Sequence, residues 1–183
     1  MPSFSRICDN IDVSQVVIEL DENKALFGEI DIRKNNINSP HIEMEDIWFR
    51  YKDLSEMIAS DDYSTLCDEH DSIWLKDLPH SKRLCLDVMA LVGGERLGGV
   101  FITKLPPGGK IKTHIDGGWH AKYYDKYYVP IKNVKGSVFG FIDGDIDAVV
   151  GEVWKFDNSI PHWVFNNSNS ERIAMVICIK GSL

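Results

Sequence analysis

His114 and Asp116 lie two positions apart in KIKTHIDGGWH (110–120), at what reads as the end of a strand, so both side chains leave the same face. His162 follows much later, in FDNSIPHWVF (156–165), at the start of another strand. Two histidines and a carboxylate that converge on one ion while leaving positions open form the ligand set of non-haem Fe(II) oxygenases. A closed shell of four ligands would instead be structural. An HxD pair by itself is common, and a histidine at a strand end is usually a plain surface or hydrogen-bonded residue, so the pair needs company. Arg172 supplies it. In RIAMVICI (172–179), Arg172, Ala174, Val176 and Cys178 share one face of a strand, which places an arginine toward an otherwise apolar interior. A buried guanidinium without a partner costs several kcal/mol, so it implies a bound anion or a neighbouring carboxylate. The plain alternative is a solvated Arg172 beside Glu171 at the strand's start.

The elements that must hold these residues can be read from texture. From Gly99 onward the chain runs through GVFITKL, KIKTHI, KYYVPI, SVFGFI, DAVV, EVWKF, HWVF and RIAMVICI, separated by turn-forming residues. Short strands at this spacing predict a mainly β fold, a barrel or jelly roll. The first half is mixed. VSQVVIEL (13–20) and DIWFRY (46–51) are rich in β-branched or aromatic residues and are expected as strands, with the polar loop RKNNINSPH between them. HSKRLCLDVMALVGG (80–94) carries Leu84, Val88, Leu91 and Val92 at helical spacing, follows Pro79, and ends in two glycines suited to a C-cap.

At 183 residues and 44% hydrophobic content, one domain is expected, with 1–98 as a mixed α/β support and 99–183 as the jelly-roll core. The formal charge of −8 opposes a phosphate backbone, so no nucleic-acid partner is expected, and a small-molecule or peptidic substrate is favoured. Neither a secretory leader nor a membrane-spanning run is visible, so no membrane partner is expected. Cys8, Cys67, Cys85 and Cys178 are scattered without a CxxC pair and read as free thiols of a cytoplasmic protein.

PPGGKIKTHID, GEVWKFDNSIPHWVFNNS and RIAMVICI together resemble the catalytic barrel of the aspartyl/asparaginyl β-hydroxylase family of Fe(II)/2-oxoglutarate-dependent oxygenases, over about Leu105–Lys180. The second stretch is similar to that family's G-x-x-x-x-F-D-x-S-x-x-H-x-x-x-N segment. The relatives include bacterial proline hydroxylases. The resemblance implies a double-stranded β-helix, or cupin-like jelly roll, with N-terminal buttressing helices. It implies iron held by His114, Asp116 and His162, with molecular oxygen as oxidant, and Arg172 on the distal carboxylate of 2-oxoglutarate. Asp116 matches the carboxylate that members acting on epidermal-growth-factor-like domains lack. Many members carry R-x-H-x-x-x-x-x-P between the iron ligands; KYYDKYYVP is the best register here and puts Lys122 and Tyr124 in the cosubstrate-binding places.

For the substrate, SPHIEMEDIWFRY (39–51) brings together His41, Trp48, Arg50 and Tyr51, and Arg50 can receive a substrate carboxylate. The simpler reading packs Trp48 and Tyr51 into the support and leaves Arg50 solvated. Trp119 and His120, flanked by Gly117 and Gly118, are expected on a lid loop at the cavity mouth. The expected activity is hydroxylation of an unactivated C–H bond in an amino acid or amino-acid residue. The alternative is a non-catalytic cupin-like metal or small-ligand binding protein, which would not need Arg172.

Overall fold

The computed structural model describes residues 2–34, 38–55, 72–132 and 136–181; Cys67 and part of the polar loop RKNNINSPH lie outside them. Among the described residues, eleven strands form two antiparallel sheets. They are β1 (Phe4–Cys8), β2 (Glu45–Tyr51), β3 (Ile73–Trp74), β4 (Gly94–Leu105), β5 (Lys110–His114), β6 (Asp125–Lys132), β7 (Ser137–Phe141), β8 (Gly144–Ile146), β9 (Val153–Phe156), β10 (His162–Asn166) and β11 (Arg172–Gly181). The larger sheet runs β1-β9-β6-β11-β4-β2-β3 and the smaller β5-β10-β7-β8. The mainly β jelly roll expected from the sequence is the observed architecture.

Alternation along the strands of the large sheet separates two functions. On one face Ile47, Phe49, Val100, Ile102, Val129, Ile131, Ile173, Met175 and Ile177 are buried in a single apolar cluster with the helices. On the other, Trp48, Phe101, Thr103, Lys126, Tyr128, Arg172, Ala174 and Val176 face a cavity closed by the small sheet. A one-residue slip in any of these strands would exchange the two sets, so the buried face fixes the register that aims Arg172 inward.

Two helices buttress the outer face: α1 (Ser14–Glu22) and α2 (Pro79–Leu91). VSQVVIEL, expected as a strand, is α1. Val16, Glu19 and Leu20 are its buried residues, at the i, i+3, i+4 spacing of a helix packed on a sheet, and this tertiary packing overrides the β preference of Val16, Val17 and Ile18. Glu19 explains part of the choice. Its carboxylate accepts the N–H groups of His80 and Ser81, each at 2.8 Å, and so caps α2, whose first residue is Pro79. α2 stops as expected, with Gly93 at φ +63°. DAVV is no strand: Val149 donates to Glu152 Oε2 at 2.8 Å and Gly151 turns at φ +85°, while the neighbouring strand is Gly144–Ile146. β1, β2 and β3, from the first half of the chain, complete the large sheet, and Gly99 lies inside β4.

Candidate metal centre

β5 and β10 are antiparallel neighbours in which His114 and His162 face each other directly. Their rings lie 4.3 Å apart, centre to centre. Each ring is oriented from behind in the same way: Nδ1 of His114 meets the Lys112 carbonyl at 2.8 Å, and Nδ1 of His162 meets that of Ile160 at 2.9 Å. With Nδ1–H donating to those carbonyls, both Nε2 lone pairs point to a common space, the usual support of a metal-binding imidazole. Burial holds His162 below the ordinary histidine range, which favours the neutral ring a metal needs.

Asp116 completes the group just beyond β5. One carboxylate oxygen is 3.5 Å from His114 Nε2, and the ligand atoms of His114, Asp116 and His162 all lie within 4.8 Å of one another. The turn FDNSIPH holds this carboxylate in place. The Asp116 N–H donates to the Asn158 carbonyl at 3.0 Å, and Asn158 Nδ2 donates to the Ala121 carbonyl at 3.0 Å, tying the loop after β5 to α3 (Gly118–Tyr123). Lys126, from β6, donates to the other Asp116 oxygen at 2.5 Å. Burial works against the charged carboxylate, but the contacts with His114 and Lys126 outweigh it and hold the Asp116 carboxyl well below its usual range. Two imidazoles and a carboxylate, from separate segments with one side open, fit a divalent metal of the non-haem iron type.

The open side faces a cavity of ≈ 230 Å³. Arg172 lines the same cavity; it is 3% exposed and stands over the Tyr128 ring, its guanidinium carbon 5.1 Å from the ring centre. It makes no hydrogen bond or ion pair with any described residue, so the solvated alternative, with Glu171 as neighbour, does not hold; Glu171 instead faces Lys104 at 3.8 Å. Asn166, the last residue of the family-like segment, is fully buried and donates to the carbonyls of Leu105, Pro106 and Ser170 at 2.8–3.1 Å. It clamps the turn before Arg172 to the turn before β5, so both halves of the site share one anchor.

The other expected residues divide. His41, Trp48, Tyr51 and His120 line the cavity. Arg50 does not: β2 is irregular between Trp48 and Arg50, and the guanidinium turns away to donate to the carbonyls of Leu97 and Gly98, both at 2.6 Å, over Trp74. It is a fastening of the large sheet. Lys122 is exposed on α3, and Tyr124 is buried against Gly98 and His120, so neither reaches the cavity. Trp119 stacks on Tyr123 at 4.8 Å rather than lining the wall, and the expected lid loop is the short α3. Sequence reasoning missed Lys126 and Tyr128 as cavity residues, although their even spacing with Pro130 in KYYVPI carried the signal. It also missed Arg33, whose loop has no period.

The sequence matches the model of the family described as Aspartyl/Asparaginyl beta-hydroxylase over residues 62–180, more than half the chain and starting well before Leu105. No curated protein matches it. Among solved structures, the chain resembles a Trichoplax adhaerens prolyl hydroxylase in complex with a hypoxia inducible factor oxygen degradation domain peptide fragment. The TM-score is 0.66 at 12% identity, with 97% of this chain and 83% of that one covered. It also resembles a Pseudomonas putida prolyl-4-hydroxylase (TM-score 0.53, 15% identity, 99% and 94% covered). A third is the viral collagen prolyl hydroxylase of Paramecium Bursaria Chlorella virus-1, solved as a 2OG complex (0.52, 13%, 100% and 97%). At these identities the three share the fold alone, whereas the family match extends across both ends of the site, and the chain belongs to the aspartyl/asparaginyl beta-hydroxylase family.

Proposed function

We propose that this protein is an Fe(II)/2-oxoglutarate-dependent dioxygenase that hydroxylates an unactivated C–H bond of an amino acid or amino-acid residue, with succinate and carbon dioxide as coproducts. The observation that carries the reading is a buried Arg172, without an ion-pair partner among the described residues, sharing one cavity with His114, Asp116 and His162. A metal-binding module without chemistry has no use for that cation, whereas a dicarboxylate cosubstrate reaching from metal to arginine satisfies both ends.

His114, Asp116 and His162 would hold the iron, and iron with 2-oxoglutarate and oxygen supplies the oxidative decarboxylation and hydroxylation. The chain's own residues do the rest. Arg172, whose guanidinium lies over the Tyr128 ring, orients the cosubstrate's far carboxylate through paired N–H donors. Lys126 occupies the outer oxygen of Asp116, which keeps that carboxylate ionised and presents its other oxygen inward. Ile111, Phe139, Phe156 and Val164 make the wall around His162 apolar and exclude water from the reacting centre. A small-molecule or peptidic substrate would enter past His41, Tyr51 and His120.

The test is turnover. Purified protein with Fe(II), ascorbate, oxygen and 2-oxoglutarate is given pooled amino acids and peptides, and succinate and any product 16 mass units heavier are followed by mass spectrometry. Succinate formed by the wild type but not by His162→Ala supports the reading. Absence of substrate-stimulated succinate from every pool, with the protein metal-loaded, would contradict it.

A further inference from the structure

The cavity is charged in a way the triad and its cosubstrate do not use up. Among the described residues three cations line it, Arg33, Lys126 and Arg172, against the single carboxylate of Asp116. Lys126 is committed to Asp116 at 2.5 Å, and Arg172 stands at the cosubstrate end. Arg33 is left. Its Nη1 lies 3.4 Å from Asp46 Oδ2, an ion pair at the long limit of a hydrogen bond that engages one of the five guanidinium donors. Its Nη2 lies 2.9 Å from His41 Nε2 and 3.3 Å from His41 Nδ1, and an imidazole contributes no negative charge.

Geometry adds to the charge count. The Arg33 guanidinium carbon stands 5.4 Å from the Phe101 ring centre. A guanidinium held over a ring face keeps in-plane donors for a planar acceptor, and Arg33 makes no hydrogen bond through Nε, and only the one to Asp46 through Nη1, with any described residue. Phe101 packs edge-on against Trp48 at 5.0 Å, Trp48 against Tyr51 at 5.1 Å, and all three line the cavity, giving an apolar wall beside the cation. Arg33 is also close to the chemistry, since His41 sits edge-on to His114 with ring centres 4.6 Å apart.

We propose that Arg33 receives a carboxylate of the primary substrate, so that the cavity takes a compound with an apolar body against Trp48, Tyr51 and Phe101 and a carboxylate a few bonds from the carbon that is oxidised. This rests on the reading of the site as a 2-oxoglutarate-dependent hydroxylase. It selects free amino acids or short carboxylic acids over internal residues of a peptide with apolar side chains, and it gives Arg33 the role that the sequence suggested for Arg50.

The experiment uses the full chain, anaerobic and loaded with Fe(II) and 2-oxoglutarate, with the fluorescence of the buried Trp48 among the tryptophans as one signal and calorimetry as the other. The probes are matched acids and primary amides: L-proline and L-prolinamide, L-leucine and L-leucinamide, 3-phenylpropionate and 3-phenylpropionamide. The expected result is an acid that binds at least about 10-fold tighter than its amide, as a charge-assisted contact gives. Arg33→Met should bring that acid to within about threefold of its amide, and Arg33→Lys should keep part of the gap. Unchanged 2-oxoglutarate affinity in Arg33→Met shows that the variant is folded. No acid preferred over its amide, or a preference that survives Arg33→Met, overturns the proposal while leaving the hydroxylase reading intact. Failure of the wild type to bind 2-oxoglutarate at all overturns both.

Discussion

Replacing Arg172 with methionine separates two accounts of a buried charge. If the guanidinium were the structural partner of a protein carboxylate, its loss would leave an uncompensated buried anion and cost about 3–5 kcal/mol of stability. Among the described residues no such carboxylate is present: Arg172 is 3% exposed, makes no ion pair with them, and lies over the Tyr128 ring face. Methionine keeps most of the volume and removes the desolvated charge, so the ligand-free protein should be as stable as the wild type or more so. The ligand should feel the whole loss. A charge-assisted hydrogen bond contributes about 1.5–3 kcal/mol, which converts to a rise of roughly 10- to 150-fold in the dissociation constant for 2-oxoglutarate. Arg172→Lys should fall between, because an ammonium supplies charge without the planar pair of donors. Calorimetric titration of 2-oxoglutarate into metal-loaded protein, with thermal denaturation of the metal-free protein alongside, reads both quantities. A change in affinity under about threefold, or a loss of more than about 2 kcal/mol in stability, would refute the reasoning.

Asn166→Ala removes an amide that serves carbonyls on both turns, so it should cost about 2–3 kcal/mol, lowering Tm by roughly 5–10 °C in differential scanning calorimetry. Glu152 is buried, which alone would raise its carboxyl, but hydrogen bonds from Val149 N–H, Arg6 and Trp154 hold it below the ordinary range. A carboxylate with a depressed folded pKa stabilises above its unfolded value of about 4.3 and loses that contribution as pH falls through the folded value. Urea unfolding from pH 7 to pH 3 should therefore show Glu152→Gln less stable by about 1–3 kcal/mol at neutrality and converging on the wild type below about pH 4. Metal occupancy should be visible without turnover: at a free Zn(II) or Mn(II) concentration 100 times its dissociation constant, mass action stabilises by about 2.7 kcal/mol. That is a Tm rise of roughly 5–10 °C, which His162→Ala should abolish.

The parts of this molecule legible in the sequence are those whose signal is local. The strands of the second half announce themselves by alternation and turn residues. His114 and Asp116 share a face because they are two apart, and Arg172 points inward because its strand alternates with a fully apolar face. What escaped depends on contacts between distant segments. α1 carries β-branched residues that favour a strand and becomes a helix because Val16, Glu19 and Leu20 meet the sheet and the start of α2. Arg50 and Arg33 look alike in sequence. An irregularity in β2 turns one toward the carbonyls of Leu97 and Gly98, and a loop without period brings the other over Phe101. Lys122 and Tyr124 follow from aligning a degenerate motif, and the strand's own parity, which selects Lys126 and Tyr128, gives the placement that the structure has.

The most direct test of the central claim is anaerobic absorption spectroscopy. Fe(II) is added to the metal-free protein, then 2-oxoglutarate, in the wild type, His162→Ala and Arg172→Met. The account predicts a visible charge-transfer band of the chelated keto acid in the wild type. It predicts no band in His162→Ala, and in Arg172→Met a band that needs roughly 10- to 150-fold more 2-oxoglutarate. Bound iron with no band at any 2-oxoglutarate concentration would contradict it.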